Sequence, residues 1–205
     1  MSERTFNGTE RKKVLFLTNN ENTLPLYHWI SERADCSLYS EPLDLSGLLM
    51  FHPDILVSYN YKYMIPGDVI EAMHGNALNL HVSYLPWNRG SSPNFWSFIE
   101  NTPKGVSIHK LAQKLDKGDV VFQKELFFDE NKETFSSSYD TLQKEIMELF
   151  KANWEAILNG IYTPVVHPEK GSYHSNAQLA ALRGKVDFSW DETIAIVKER
   201  LNRLP

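Results

Sequence analysis

Residues 79–93 read NLHVSYLPWNRGSSP, an apolar stretch that carries two polar side chains and runs directly into a loop. Side chains alternate between the two faces of a strand, so Asn79 and His81 share one face and their apolar neighbours share the other. Open α/β sheets bind ligands at the carboxyl ends of their strands. The pair therefore predicts one wall of a functional site. A hydrogen-bonded pair of core polar groups is the alternative.

The chain around this stretch alternates apolar runs with helical patterns. Strands are predicted at residues 14–18, 54–58, 77–83, 106–111 and 120–126. Helices are predicted at residues 24–34, 66–74 and 93–99, from about 134 to a stop at Gly160, and near 191–201. This alternation predicts an α/β fold with a Rossmann-like, mainly parallel sheet.

Three parts of the chain are predicted: a flexible leader at residues 1–12, a catalytic domain at 13–163 and a small C-terminal appendage at 164–205. The first strand is followed by TNNENT rather than a glycine-rich turn. A dinucleotide site is therefore not expected.

Composition narrows the class of protein. The formal net charge of -5 argues against a dedicated nucleic-acid binder. The single cysteine, Cys36, cannot form an internal disulfide, which fits a reducing compartment. No apolar run suggests a signal peptide or a membrane span. We expect a cytoplasmic enzyme or binding protein with no nucleic-acid or membrane partner.

The polar pair suits acyl or formyl transfer. An amide such as Asn79 can donate a hydrogen bond to an oxygen that becomes negative, and His81 can take a proton from an attacking amine. A carboxylate should complete the set. The segment 115-LDKGD-119 offers two, Asp116 and Asp119, although a plain turn is the alternative reading of this segment.

Together these segments resemble the folate-dependent formyltransferase family. The resemblance spans roughly residues 12–160, and four segments carry it: 57-VSYNYKYMIP-66, 79-NLHVSYLPWNRG-90, 105-GVSIH-109 and 115-LDKGD-119. Two departures are visible. Val82 follows His81 where the family usually has proline, and Lys62 stands where the family has glycine.

The resemblance implies a catalytic triad and a co-substrate, 10-formyltetrahydrofolate, with no metal. Asn79 would hold the formyl oxygen, His81 would stabilise the oxyanion and assist proton transfer, and Asp116 would orient His81. His109 matches a family position that is either structural or functional. The residues implied for the folate are Tyr61, Tyr63, Met64, Ile65, Leu115, Gly118 and Asp119.

Residues 85–109 are most similar to the same segment of two groups of proteins. One group formylates nucleotide-linked amino sugars, and the other is the formylation domain of nonribosomal peptide synthetases. A free-standing chain favours the sugar enzymes, whose products include 4-amino-4,6-dideoxy sugars and pseudaminic-acid precursors of surface glycans. Trp87 and Arg89 are expected to meet the nucleotide sugar, or else to brace their loop. The full set of predicted substrate-binding residues is Asn19, Trp87, Asn88, Arg89 and His174.

Other functions stay open. Glycinamide ribonucleotide formylation fits the length, whereas initiator-tRNA formylation is disfavoured by the acidic charge and the short tail. A formyltetrahydrofolate hydrolase and a non-catalytic folate binder are the rivals from other classes. The tail also offers a surface on which two copies of the chain can pair as a homodimer.

Overall fold

A computed structural model describes residues 11–166 and 170–203 of the 205-residue chain. The predicted leader, residues 1–12, lies outside the described residues except for its last two. A six-stranded sheet forms the centre. Its strands are β1 (Lys13–Leu17), β2 (Asp35–Tyr39), β3 (Ile55–Tyr59), β4 (Ala77–His81), β6 (Lys104–Lys110) and β7 (Val120–Leu126), whereas the short β5 (Arg89–Gly90) lies outside it. The strand order in the sheet is β2-β1-β3-β4-β6-β7.

The sheet is mixed, with a parallel half and an antiparallel half. β1 pairs in parallel with β2 and β3, and β3 pairs in parallel with β4. β6 then runs antiparallel to both β4 and β7. The predicted mainly parallel α/β fold is confirmed. Its central strands are short apolar runs because helices cover both of their faces.

Helices flank the sheet on both sides. They are α1 (Leu24–Ser31), α2 (Leu45–Phe51), α3 (Gly67–Ala72), α4 (Pro93–Ile99), α5 (Phe135–Ala152), α6 (Trp154–Asn159), α7 (Asn176–Arg183) and α8 (Ile194–Asn202), with a 3₁₀ turn at Glu21–Thr23. Within the two described ranges, no helix is both long enough and apolar enough to cross a membrane.

The long helix predicted up to Gly160 is divided in two at Asn153. The Asn153 side chain donates to the carbonyl of Leu149 at 2.8 Å, and such local bonds compete with the helical pattern. α6 then continues to Gly160, whose φ of +65° closes it. At the other end, Thr134 and Ser137 form a reciprocal capping box that begins α5.

Residues 170–203 pack on the sheet-bearing part of the chain. Their strand β8 (Tyr173–His174) pairs in parallel with the short strand β5 (Arg89–Gly90). An aromatic core joins the two parts, since Phe188 stacks on Phe95 of α4 with ring centroids 5.5 Å apart and an interplanar angle of 5°. The same core includes Phe135 of α5 and Ile194 of α8. Residues 170–203 thus share a core with the sheet-bearing part of the chain.

Candidate active site

The two polar residues of β4 lie where three segments of the chain meet. β4 occupies an inner position of the sheet, and its last residue is His81. The antiparallel neighbour β6 places His109 opposite Asn79. The turn after β6 brings Asp116 to the same place, with φ at +49°, a left-handed conformation that aspartate tolerates. Asn79, His81, His109 and Asp116, which lie up to 37 positions apart in the sequence, therefore form one cluster.

Asn79 contacts two of the three other polar groups of this cluster, His109 and Asp116. Its Nδ2 lies 3.1 Å from His109 Nε2 and 3.5 Å from Asp116 Oδ1. His109 is itself fixed, because its Nδ1 donates to the carbonyl of Lys110 at 2.8 Å. The contact with Asp116 is at the long limit for a hydrogen bond. An Asn79 N–H is therefore held in place while remaining available to a ligand oxygen.

His81 is almost fully buried and is oriented by oxygen atoms. Its Nε2 lies 3.3 Å from the carbonyl of Asn88 and 3.8 Å from Asp116 Oδ2. Because both neighbours are acceptors, the proton of the neutral ring belongs on Nε2, which leaves Nδ1 as the basic nitrogen. Burial lowers the pKa of His81, although the Asp116 carboxylate opposes this effect. The imidazole is therefore neutral at pH 7 and can accept a proton.

Asp116 is the negative charge of the site. Burial alone would raise its pKa, but the nearby imidazoles of His81 and His109 and a hydrogen bond from the backbone of Gly90 outweigh burial. Gly90 N donates to Asp116 Oδ2 at 2.8 Å. The pKa of the carboxyl is held well below its ordinary value of 3.8, so Asp116 is ionised.

Gly90 cannot be replaced by another residue without local change. Its φ of +86° lies in the left-handed region, and an added Cβ would lie 2.3 Å from the carbonyl oxygen of His174. Glycine therefore allows β5 to approach β8 while its N–H points at Asp116.

Two cavities adjoin at His81, and the other three residues of the cluster line the smaller one. The small cavity, of ≈ 200 Å³, lies towards the loop after β3 and is lined by five of the predicted folate residues, Tyr61, Tyr63, Met64, Ile65 and Leu115. The large cavity, of ≈ 500 Å³, lies towards α4 and α5. Its aromatic lining residues are Phe95, Phe135, Tyr139 and Trp190. Three residues line both cavities: Asn60, His81 and Gly90.

Gly118 and Asp119, also predicted to bind folate, do not line the small cavity. The structure gives both a role in the turn. An added Cβ at Gly118 would lie 1.7 Å from the carbonyl oxygen of Lys110, and Lys110 N donates to the carbonyl of Asp119 at 2.9 Å. They dock the turn against β6 and so position Asp116.

The three predicted substrate residues near β5 line neither cavity. The Asn88 side chain is fully buried and bonds Thr102 and Ser172. Arg89 Nε donates to the carbonyl of Ser172 at 3.2 Å. The half-buried Trp87 contributes its carbonyl oxygen to a bond from Ser83 Oγ at 2.5 Å.

The two other predicted substrate residues, Asn19 and His174, contact other parts of the chain. The Asn19 side chain bonds the backbones of Ser40 at 2.7 Å and Lys62 at 3.0 Å. His174 stacks on Trp96 with ring centroids 4.1 Å apart. Contact of these five residues with a substrate stays a prediction.

The sequence interpretation missed several residues of the site, among them Asn60, Gly90, Tyr139 and Trp190. Asn60 carried a weak signal, since it follows an apolar strand directly. No local sequence pattern marked Trp190, because only the folded tail brings this residue to the large cavity. Among residues 11–166 and 170–203, no three His, Cys, Asp or Glu side chains cluster closely enough to hold a metal ion.

A sequence model described as "Formyl transferase" matches residues 21–152, the part of the chain that carries the triad. The chain belongs to the folate-dependent formyltransferase family. The resemblance predicted from four short segments is thus confirmed.

Among solved structures, the chain is similar to the formyltransferase PseJ from Anoxybacillus kamchatkensis, in complex with UDP-4,6-dideoxy-4-formamido-L-AltNAc and tetrahydrofolate. The identity is 34% and the TM-score 0.81, over 89% of this chain and 96% of that chain. A 4-N formyltransferase from Francisella tularensis shares the fold, with 22% identity and a TM-score of 0.74, over 93% of this chain and 86% of that chain.

A curated sequence relative is the methionyl-tRNA formyltransferase of Listeria welshimeri. It is 29% identical over 148 residues, which is 71% of this chain and 46% of that protein. The chain thus spans less than half the length of this relative.

Proposed function

We propose that this chain transfers a formyl group from 10-formyltetrahydrofolate to the amine of a nucleotide-linked amino sugar. The observation that carries the proposal is the similarity to PseJ, which extends over nearly the whole of that formyltransferase. The two cavities support it, because they provide separate spaces for a donor and an acceptor on either side of His81.

The small cavity fits the ring system of a folate. Its walls include the aromatic side chains of Tyr61 and Tyr63, which suit a flat heterocycle. Met64 and Leu115 are 63% and 44% exposed, so they mark an open side through which the rest of a folate can extend. When bound there, 10-formyltetrahydrofolate supplies the formyl group as an activated amide.

The large cavity fits a nucleotide sugar better than a small polar amine. Four aromatic rings line it, and aromatic faces suit stacking with a base or a pyranose ring. Its volume of ≈ 500 Å³ lies within the usual range for ligand pockets of about 300–1,000 Å³. Trp190 of the tail closes part of this cavity, so the tail contributes to acceptor recognition.

The triad supplies three distinct functions at the meeting point of the cavities. Asn79 donates a hydrogen bond to the formyl oxygen as negative charge develops on it. His81, neutral and oriented by the Asn88 carbonyl, takes a proton from the amine. Asp116 stabilises the imidazolium that results, since its carboxylate lies 3.8 Å from His81 Nε2.

The experiment is a panel of acceptors offered to the purified protein with 10-formyltetrahydrofolate, followed by folate absorbance and by product mass. The acceptors are several UDP- and dTDP-linked amino sugars, glycinamide ribonucleotide, methionyl-tRNA and buffer alone. We expect the mass of one formyl group to appear on an amino sugar. Formylation of only ribonucleotide or tRNA, or formate release in buffer alone, would contradict the proposal.

A further inference from the structure

Asn60 occupies the boundary between the two cavities. It follows β3 directly and lines both the small and the large cavity. Its φ of +51° is left-handed, a conformation in which asparagine is enriched. The Asn60 carbonyl accepts from Asn19 N at 3.2 Å, which fixes the backbone at this point. The side chain therefore projects from a defined position beside His81.

The Asn60 amide contacts α5 through one long hydrogen bond. Asn60 Nδ2 donates to the hydroxyl of Tyr139 at 3.4 Å. Tyr139 lines the large cavity, and the residue one helical turn later, Gln143, is buried and accepts a hydrogen bond from Tyr59. With Nδ2 engaged, Oδ1 of Asn60 has no hydrogen-bond partner within the described parts of the chain.

An acceptor oxygen at this point suits the attacking amine. The amine must be neutral when it attacks, and its two hydrogens must point away from the carbon while its lone pair points towards it. His81 can receive one of these hydrogens. A second acceptor is needed to fix the rotation of the amine. Asn79 lines the small cavity but not the large one, whereas Asn60 lines both.

We propose that Asn60 Oδ1 accepts an N–H hydrogen bond from the acceptor amine and thereby aims the nitrogen lone pair at the formyl carbon. In the reaction, the amine nitrogen forms a bond to the formyl carbon and the bond from that carbon to N10 of the folate breaks. One proton leaves the amine for His81 and is returned to N10. The products are an N-formyl amine and tetrahydrofolate. This inference rests on the proposed function only in requiring an amine as the acceptor.

The test compares three variants in steady-state kinetics. Asn60→Gly keeps the left-handed backbone but removes the side chain, and Asn60→Asp keeps an acceptor oxygen. Tyr139→Phe removes the partner of Asn60 Nδ2. We expect Asn60→Gly to lower kcat/KM for the amine by about tenfold or more, with the KM for folate unchanged. Asn60→Asp should retain more activity than Asn60→Gly, and Tyr139→Phe should lose less.

His74→Gly is the matched control, because His74 is an exposed residue with a φ of +49° that lines neither cavity. It should leave all kinetic constants unchanged. The proposal is overturned if Asn60→Gly leaves kcat/KM for the amine at the wild-type value. It is also overturned if this variant raises the KM for folate to the same extent, because that result means a distorted small cavity.

The two proposals fail in different ways. If the wild-type protein formylates an amine that is not on a sugar nucleotide, the proposed acceptor is wrong, and the Asn60 variants are measured on the amine that reacts. If the wild-type protein formylates no amine in the panel, both proposals are overturned.

Discussion

Replacing Gly90 with alanine should damage both catalysis and folding. An alanine held at a φ of +86° costs about 1–2 kcal/mol, and its Cβ would lie 2.3 Å from the carbonyl oxygen of His174. The backbone must shift to relieve that contact, which stretches the 2.8 Å hydrogen bond from Gly90 N to Asp116. Hydrogen bonds to charged groups contribute about 1.5–3 kcal/mol. Loss of this bond predicts a fall in kcat on the order of 10- to 100-fold.

Gly160→Ala separates the cost of an alanine in a left-handed conformation from the loss of the hydrogen bond to Asp116. Gly160 also has a positive φ, +65°, but an added Cβ there would meet nothing within 4 Å. It should show the conformational cost alone, a fall in Tm of about 2–8 °C, with kcat unchanged. Formyl transfer and thermal unfolding would be measured on both variants. A Gly90→Ala protein with wild-type kcat would show that the hydrogen bond to Asp116 does not matter for turnover.

The remaining predictions concern the triad and the small cavity. Single alanine substitutions of the triad should each lower kcat by about 100-fold or more with an unchanged circular dichroism spectrum, and near-normal turnover in all three would contradict the mechanism. The three positions are Asn79, His81 and Asp116. Because burial depresses the pKa of His81, nitrogen NMR should show its ring titrating below 6.5, and a midpoint at or above 6.5 would refute the neutral resting state. The folded state then loses stability as pH falls through that pKa, because the unfolded chain binds the proton more tightly. Leu115→Ala should raise the KM for folate roughly tenfold with little change for the acceptor. Leu49, which is 51% exposed against 44% for Leu115, lies outside both cavities, and Leu49→Ala should change neither constant.

The sequence was most informative where a local pattern determines the structure. Alternation along β4 placed Asn79 and His81 on one face, and the Pro93 helix was predicted with its observed bounds. β7 was also predicted with its observed bounds, at Val120–Leu126. Such features depend on residues a few positions apart, so they can be predicted from a single sequence.

Features that depend on distant partners were missed. β2 lies at the edge of the sheet and its burial is incomplete, so DCSLY carries no apolar run that would predict a strand. The division of the long helix depends on one side-chain bond at Asn153. The placement of Trp190 in the large cavity requires the tail to pack on α4 and α5, which no local pattern predicts.

The pairing of β5 with β8 has a consequence for synthesis of the protein. The triad and the strands that bear it are complete once Asp116 has been made, but the strand that backs Gly90 comes only at residues 173–174, and Trp190 comes later still. A nascent chain on the ribosome can therefore fold its sheet around a finished triad while one wall of the large cavity is still missing. The large cavity is complete only after Trp190 has left the exit tunnel.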